Sequence, residues 1–147
     1  HRFGTHPRAR NAHAFRLYDY EADRAVCVVQ FHGLRELDGK GDTPNRTAQA
    51  EALIALIDRL HREDEGLIVC GDFNVLPDSG TFKALDRLGL TDLVTARGFS
   101  DTRTSLYTKP GRYADYMLIN DAVRTVDFTV VETPEVSDHR PLLLTIA

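Results

Sequence analysis

The chain has 147 residues, enough for one domain, and its 42% hydrophobic and 27% charged residues are ordinary for a globular protein. A formal net charge of −4 argues against a general electrostatic attraction to nucleic acid. No apolar run approaches the ~20 residues that cross a bilayer and no signal peptide opens the chain, so we expect a cytoplasmic protein without a membrane span.

The N-terminal segment concentrates positive charge. Arg2, Arg8, Arg10 and Arg16, together with three histidines, precede the first acidic residue, Asp19. We expect a solvated basic terminus, with a flank that faces phosphate as the alternative interpretation.

Two strands are predicted next, at 14–20 and 24–32, joined by a short polar turn. The second is apolar on both faces, which is typical of a central strand. Cys27 in this strand and Cys70 in a later apolar run predict buried thiols in a reducing compartment rather than a disulfide or zinc site.

A helix is predicted over about 45–62, after a polar, glycine-rich loop. Thr43 is suited to cap it, since a threonine hydroxyl accepts a hydrogen bond from the first turn. The helix carries one apolar stripe at helical spacing, made of Leu53, Leu56, Ile57 and Leu60.

The second half of the chain predicts three more strands after a buried one that ends in "GDFN". A helix capped by Asp78 or Ser79 follows, then a short helix over 91–97. The strands 112–119 and 123–131 are predicted to form a hairpin, and an apolar strand closes the chain. This order indicates an α/β (α+β) fold, with a mixed β-sheet covered by helices on one face.

Polar residues stand at or near the ends of these apolar strands. They are His32, Asp72, Asn74, Asp115, Asp138 and His139. Ligands bind at such strand ends in α/β sheets. Because carboxylate and amide oxygens suit a hard cation, the group suggests Mg²⁺ and phosphate chemistry.

Taken singly, each residue has a purely structural alternative. His32 can be a satisfied histidine, Asp72 and Asn74 can hold a turn, and Asp115 can pair with Arg112. The Asp-His pair can be a polar turn. The functional interpretation therefore depends on the residues occurring together.

Together, these motifs resemble the endonuclease/exonuclease/phosphatase (DNase I-like) superfamily of Mg²⁺-dependent phosphoesterases. The similarity rests on "GDFN" at 71–74 and "SDHRPL" at 137–142, supported by "FHGL" at 31–34 and "RYADYMLI" at 112–119. Arg46 and Gln49 also match and are expected to be structural. The resemblance implies half of a four-layer α/β/β/α sandwich.

The resemblance implies that water attacks a phosphodiester or phosphomonoester in line. His139 would act as general base or transition-state stabiliser, and Asp115 would orient it and raise its basicity. Asp72 would position or deprotonate the attacking water.

The resemblance also implies a metal, Mg²⁺ or possibly Mn²⁺, held by Asp138 with Asp72 and Asn74. Asn74 and His32 would hydrogen-bond the phosphate oxygens as negative charge builds. Substrate contacts are expected from the loop 98–112, through Arg103, Tyr107 and Arg112, with Lys109 in the same loop. Nucleic acid, inositol phosphate and phospholipid head groups are not distinguished.

The sequence departs from the family at its start. The family's strand ending in asparagine and its "QE" strand with the glutamate metal ligand do not precede residue 26. We therefore expect 1–147 to be a single partial domain, a C-terminal half, with impaired metal affinity and turnover.

The departure also predicts an uncovered sheet face. The alternation of Val126, Phe128 and Val130 is expected to leave apolar surface exposed, through which a homodimer can form. The alternative function is an inactive DNase I-like fold that binds a partner or itself.

Overall fold

The computed structural model describes residues 10–37 and 39–147, so most of the predicted basic terminus lies outside the described residues. Its strands are β1 (Ala12–Asp19), β2 (Arg24–His32), β3 (Gly66–Asp72), β4 (Thr91–Asp92), β5 (Asp115–Ile119), β6 (Thr125–Val130) and β7 (Leu142–Ile146). Its helices are α1 (Pro44–Leu60), α2 (Gly80–Leu85) and α3 (Leu93–Ala96), with a 3₁₀ turn at Asp86–Leu88.

Five strands form one mixed sheet in the order β1-β2-β3-β5-β4. The strands β2 and β3 are parallel and connected through α1, while the other neighbours are antiparallel. This arrangement confirms the predicted mixed sheet and the central place of β2. The strands β6 and β7 pair with each other in a separate two-stranded sheet.

The predicted hairpin between 112–119 and 123–131 is wrong. β5 pairs with β3 and β4, and β6 pairs with β7. Asn120 does not serve as a hairpin turn, because its side chain accepts from the Leu67 amide at 2.8 Å and donates to the Glu65 carbonyl at 3.0 Å. These bonds tie the end of β5 to the start of β3, and the chain then continues into the other sheet.

The helix α1 begins as predicted. The Thr43 hydroxyl accepts a hydrogen bond from an amide of the first turn at 3.3 Å. Its buried stripe is rotated from the predicted one: Leu53, Ile54 and Ile57 are buried, but Leu60 is 41% exposed. None of the helices in the described ranges combines the length and the apolarity needed to cross a membrane.

The two faces of the five-stranded sheet are covered to different degrees. On the helix side, Val29 and Val69 are completely buried. On the opposite side, Phe15 and Leu17 of β1 are 49% and 54% exposed. The free thiol of Cys27 is buried, whereas that of Cys70 is partly exposed. We call the side that carries Phe15 and Leu17 the open face.

The residues predicted to form the uncovered face do not do so. Phe128 and Val130 are buried, at 5% and 4% exposure, and the Phe128 ring packs edge-to-face on Phe99. Only Val126 is exposed. A register shift in β6 before Asp127 interrupts the alternation, so these residues do not share one exposed surface.

Candidate active site

The sheet register brings three predicted site residues into one row. His32 of β2 lies opposite Asp72 of the parallel strand β3, and Asp72 lies opposite Asp115 of the antiparallel strand β5. Residues directly opposite each other project from the same face of a sheet. The row therefore presents an imidazole and two carboxylates side by side.

His139 completes this row from the loop before β7. Its Nδ1 lies 2.7 Å from the Asp115 carboxylate, and its Nε2 lies 3.9 Å from the Asp72 carboxylate. We call His32, Asp72, Asp115 and His139 the polar corner. The structure thus unites four residues that are far apart in sequence.

The hydrogen bond between His139 and Asp115 affects both groups. It raises the pKa of His139, against an opposing effect of burial, because the carboxylate favours the imidazolium. Burial raises the pKa of Asp115, while His139 lowers it. The hydrogen bond holds the His139 ring in one orientation, and the catalytic role that the family resemblance implied for this pair stays a prediction.

His32 has the opposite electrostatic environment. Burial lowers its pKa, and the nearby Arg10 guanidinium lowers it further. Arg10 Nη1 lies 2.5 Å from His32 Nε2 and 3.3 Å from His32 Nδ1, so a neutral ring can accept a hydrogen bond from the guanidinium. His32 Nε2 is also 3.8 Å from the Asp72 carboxylate. Asp72 therefore lies between a neutral imidazole and one that favours its proton.

The turn after β3 explains the sequence "GDFN". Gly71 has φ +132, and a Cβ at this position would collide with the Phe31 carbonyl. The strand β3 ends one residue later, at Asp72, and Asn74 follows at φ +56. The backbone N–H of Asn74 donates to Asp72 Oδ1 at 2.9 Å, so the Asp72 side chain also stabilises the turn.

Asn74 lines the same cleft but is 5% exposed. Its Nδ2 donates to the Gly33 carbonyl at 3.2 Å. The predicted structural role of Arg46 and Gln49 agrees with the contacts around this turn. Arg46 donates to the Asn74 carbonyl at 3.2 Å, and Gln49 accepts from the Leu34 amide at 2.8 Å.

Asp138 is adjacent to the polar corner but is held by Arg103. Arg103 Nη1 donates to Asp138 Oδ2 at 2.9 Å, and the guanidinium carbon lies 4.4 Å from the centre of the Tyr107 ring. The predicted substrate residues Arg103 and Tyr107 both line the cleft. Arg103 is buried and paired, so it orders this wall.

Arg112, the third predicted substrate residue, is used within its own loop. Its Nε donates to Asp101 at 2.7 Å, and its Nη2 donates to the Arg103 carbonyl at 2.8 Å. The alternative pairing of Arg112 with Asp115 is wrong, since Asp115 binds His139. Arg112 is not among the described residues that line the cleft.

The donor set of the polar corner does not form a complete metal site within the described residues. In residues 10–37 and 39–147, no three His, Cys, Asp or Glu side chains are grouped to hold a metal ion. Asp115 is bound to His139 and Asp138 to Arg103. The described residues alone do not fit a full Mg²⁺ ligand set.

Two residues that line the cleft were not among the predicted site residues. Arg10 belonged to the terminus expected to be solvated, yet it is buried against His32. Lys40 came from a loop with no pattern to single it out. Burial lowers the pKa of Lys40 to about 8, aided by the Arg103 charge. Only the tertiary structure identifies either residue.

The polar corner opens into a cleft of about 890 Å³, and the fold around it matches known structures. An endonuclease/exonuclease/phosphatase protein from Bacteroides vulgatus aligns with a TM-score of 0.70 at 19% identity, over 94% of this chain and 55% of its own. A mannosyl-6-phosphatase from Bacteroides thetaiotaomicron gives 0.68 at 14% identity, over 94% and 57%. An AP endonuclease from Archaeoglobus fulgidus gives 0.63 at 17% identity, over 94% and 72%.

These similarities establish the DNase I-like fold of the chain. The chain spans little more than half the length of the first two structures, at 55% and 57%. A search of curated proteins found no significant match. The sequence itself matches the description Endonuclease/Exonuclease/phosphatase family over residues 5–139. The chain therefore belongs to the endonuclease/exonuclease/phosphatase family.

Proposed function

We propose that the polar corner hydrolyses a phosphate ester by in-line attack of water. The observation that carries the proposal is the position of His139, which Asp115 orients at 2.7 Å and which faces the Asp72 carboxylate at 3.9 Å. An oriented imidazole and a carboxylate base at one point are the groups that proton transfer requires.

The electrostatic environments suggest a role for each group. Asp72 positions the attacking water and accepts its proton. His139, whose raised pKa favours the imidazolium, stabilises the charge that builds on the phosphoryl and leaving oxygens. His32, kept neutral by burial and Arg10, donates to a phosphoryl oxygen. Asn74 is proposed to contact the same group.

The family supports a hydrolase, and the similar structures support phosphate esters as a class. One is called a mannosyl-6-phosphatase and another an AP endonuclease, so their substrates differ. Because these structures are only 14% and 17% identical to this chain, they support its fold but do not identify its substrate.

A requirement for Mg²⁺, or Mn²⁺ in its place, belongs to the same proposal. Asp72 and Asn74, with Asp138, are the predicted oxygen donors. Because Asp138 is paired with Arg103, we expect the ion to bind weakly.

Hydrolysis of bis-p-nitrophenyl phosphate and p-nitrophenyl phosphate, in Mg²⁺, in Mn²⁺ and in EDTA, tests the proposal. We expect slow release of p-nitrophenol that requires the metal and exceeds the rate of an Asp72→Asn variant prepared in parallel. Equal rates for the two proteins in all three conditions would overturn the proposed function.

A second candidate function, self-association, is supported by the open face. Phe15 and Leu17 are about half exposed on β1, next to the partly buried Val28 of β2. Apolar side chains that share one sheet face favour burial against a partner. We propose a second copy of the chain as that partner.

A further inference from the structure

The cleft is larger than the polar corner needs. Its volume of about 890 Å³ is in the range of about 300–1,000 Å³ that is common for sites of drug-sized ligands. A single phosphate group at His139 and Asp72 fills only one end. The rest of the cleft is therefore available to the group that the ester carries.

The cleft lining is positively charged although the chain is acidic. Among the described residues, six cationic side chains and three carboxylates line it, an excess of three positive charges with the histidines neutral, against −4 for the chain. The cations are Arg10, Arg35, Lys40, Arg46, Arg103 and Lys109. A concave surface with a net positive charge attracts anionic ligands.

Four of the six cations have defined contacts inside the protein. Arg10 contacts His32, and Arg103 pairs with Asp138. Arg46 donates to the carbonyls of Gly39 and Asn74. The fourth, Lys40, donates to two carbonyls of the facing loop, and these contacts order the walls of the cleft.

Arg35 and Lys109 are different. Both are exposed, and neither makes a hydrogen bond or ion pair within residues 10–37 and 39–147. Arg35 lies three residues after His32, on the wall that continues from β2. Lys109 lies on the opposite loop, two residues before Gly111.

Lys40 fixes these two walls relative to each other. Its Nζ donates to the Gly111 carbonyl at 2.7 Å and to the Tyr113 carbonyl, and it lies 5.3 Å from the centre of the Tyr107 ring. The loop that carries Lys109 is thereby tied to the loop that follows Arg35. The two exposed cations are held at the rim of one cleft.

From this arrangement we infer that Arg35 and Lys109 form a second anion subsite, which binds a phosphate group of the substrate other than the reacting one. The substrate class is a phosphate ester whose leaving or retained group bears a further phosphate. The inference rests on the proposed function, because the polar corner supplies the reacting subsite. Two cations on facing walls select such a substrate over an ester with one phosphate.

Two probes that differ by one phosphate test the subsite. They are thymidine 5′-(p-nitrophenyl phosphate) and its 3′-phosphorylated counterpart. In the wild type we expect a ratio of kcat/KM of about 10 in favour of the second probe, which corresponds to about 1.4 kcal/mol. The ratio should fall towards one in the double variant Arg35→Gln/Lys109→Gln and with increasing salt.

The matched control is Arg97→Gln, because Arg97 is an exposed arginine outside the cleft lining. This variant should keep both the ratio and the basal activity. A wild-type ratio of one, or a ratio that the double variant retains, would contradict the second subsite.

Failure of the proposed function is distinguished by a binding measurement. If neither probe is hydrolysed, calorimetric titration of thymidine 3′,5′-bisphosphate and thymidine 5′-monophosphate still compares the anion sites without turnover. Tighter binding of the bisphosphate that is lost in Arg35→Gln/Lys109→Gln supports the subsite. Equal affinities in the wild type overturn it.

Discussion

His32 and His139 lie on either side of Asp72, and the protein drives their pKa values apart. The hydrogen bond to Asp115 raises the pKa of His139, while burial and the Arg10 charge lower that of His32. At a pH near the ordinary histidine pKa of about 6.5, His139 is therefore mostly protonated and His32 mostly neutral. The proposed mechanism uses this difference, because it gives two similar side chains different protonation states and therefore different roles.

An NMR titration of the histidine ring protons measures this difference directly. We expect His139 to titrate above about 6.5 and His32 below it. Asp115→Asn removes the carboxylate that favours the imidazolium, so the pKa of His139 should fall, while that of His32 changes less. A His139 that titrates unchanged in Asp115→Asn would contradict the electrostatic account.

The sign of this shift also predicts a pH dependence of hydrolysis. A raised pKa keeps His139 protonated to higher pH, and the activity should decline as pH rises through that pKa. Loss of the proton from His139 removes the charge that stabilises the transition state. In a profile of kcat/KM against pH, the midpoint of this decline should move to lower pH in Asp115→Asn. An unchanged midpoint would exclude His139 as its origin.

At the level of elements, the end of β3 and the turn that follows it control where Asp72 and Asn74 lie. Gly71 is required by its φ of +132 and by the Phe31 carbonyl, which leaves no room for a Cβ. The Asn74 amide then closes the turn on Asp72. The end of β3 and the turn after it therefore fix the position of the Asp72 carboxylate.

Gly71→Ala should cost more than about 2 kcal/mol of unfolding free energy, since it adds both backbone strain and a steric collision. The matched control is Gly41→Ala, where a Cβ meets nothing within 4 Å and the backbone does not have positive φ. Urea denaturation compares the two variants with the wild type. Equal stability of the two variants would contradict the role of Gly71.

The elements that local sequence determines were predicted well. Thr43 caps α1 because its hydroxyl accepts a hydrogen bond from the backbone amide of Arg46, only three residues later in the sequence. The apolar run before Gly71 forms a buried strand. The partner of β5 was not predictable in this way. That choice depends on contacts of Asn120 with Glu65 and Leu67, more than fifty residues away in sequence.

For the whole molecule, the sequence predicted which residues belong to the polar corner but not how they are arranged in space. His32, Asp72 and Asp115 stood out as polar residues in apolar strands, and the register then placed them in a row. The pairing of Arg103 with Asp138 and the burial of Arg10 are tertiary contacts without a local pattern. The location of the exposed apolar surface was also wrong, because the bulge in β6 was not visible in the alternation.

The open face gives a prediction about the assembly. Sedimentation velocity should show association of the wild type as its concentration increases, because Phe15 and Leu17 gain burial in a dimer. Leu17→Lys places a charge in that contact and should remain monomeric. Val126→Lys is the control, since Val126 is exposed on the other sheet. A wild type that stays monomeric at high concentration would exclude self-association through this face.

The central claim is that the polar corner carries out phosphate-ester hydrolysis, and replacement of His139 tests it most directly. The measurement is kcat/KM for bis-p-nitrophenyl phosphate in the wild type and in His139→Asn, with His13→Asn as a control for an exposed histidine outside the corner. We predict a loss of about 10²–10⁴-fold in His139→Asn and no change in His13→Asn. A His139→Asn protein that is folded and as active as the wild type would contradict the account.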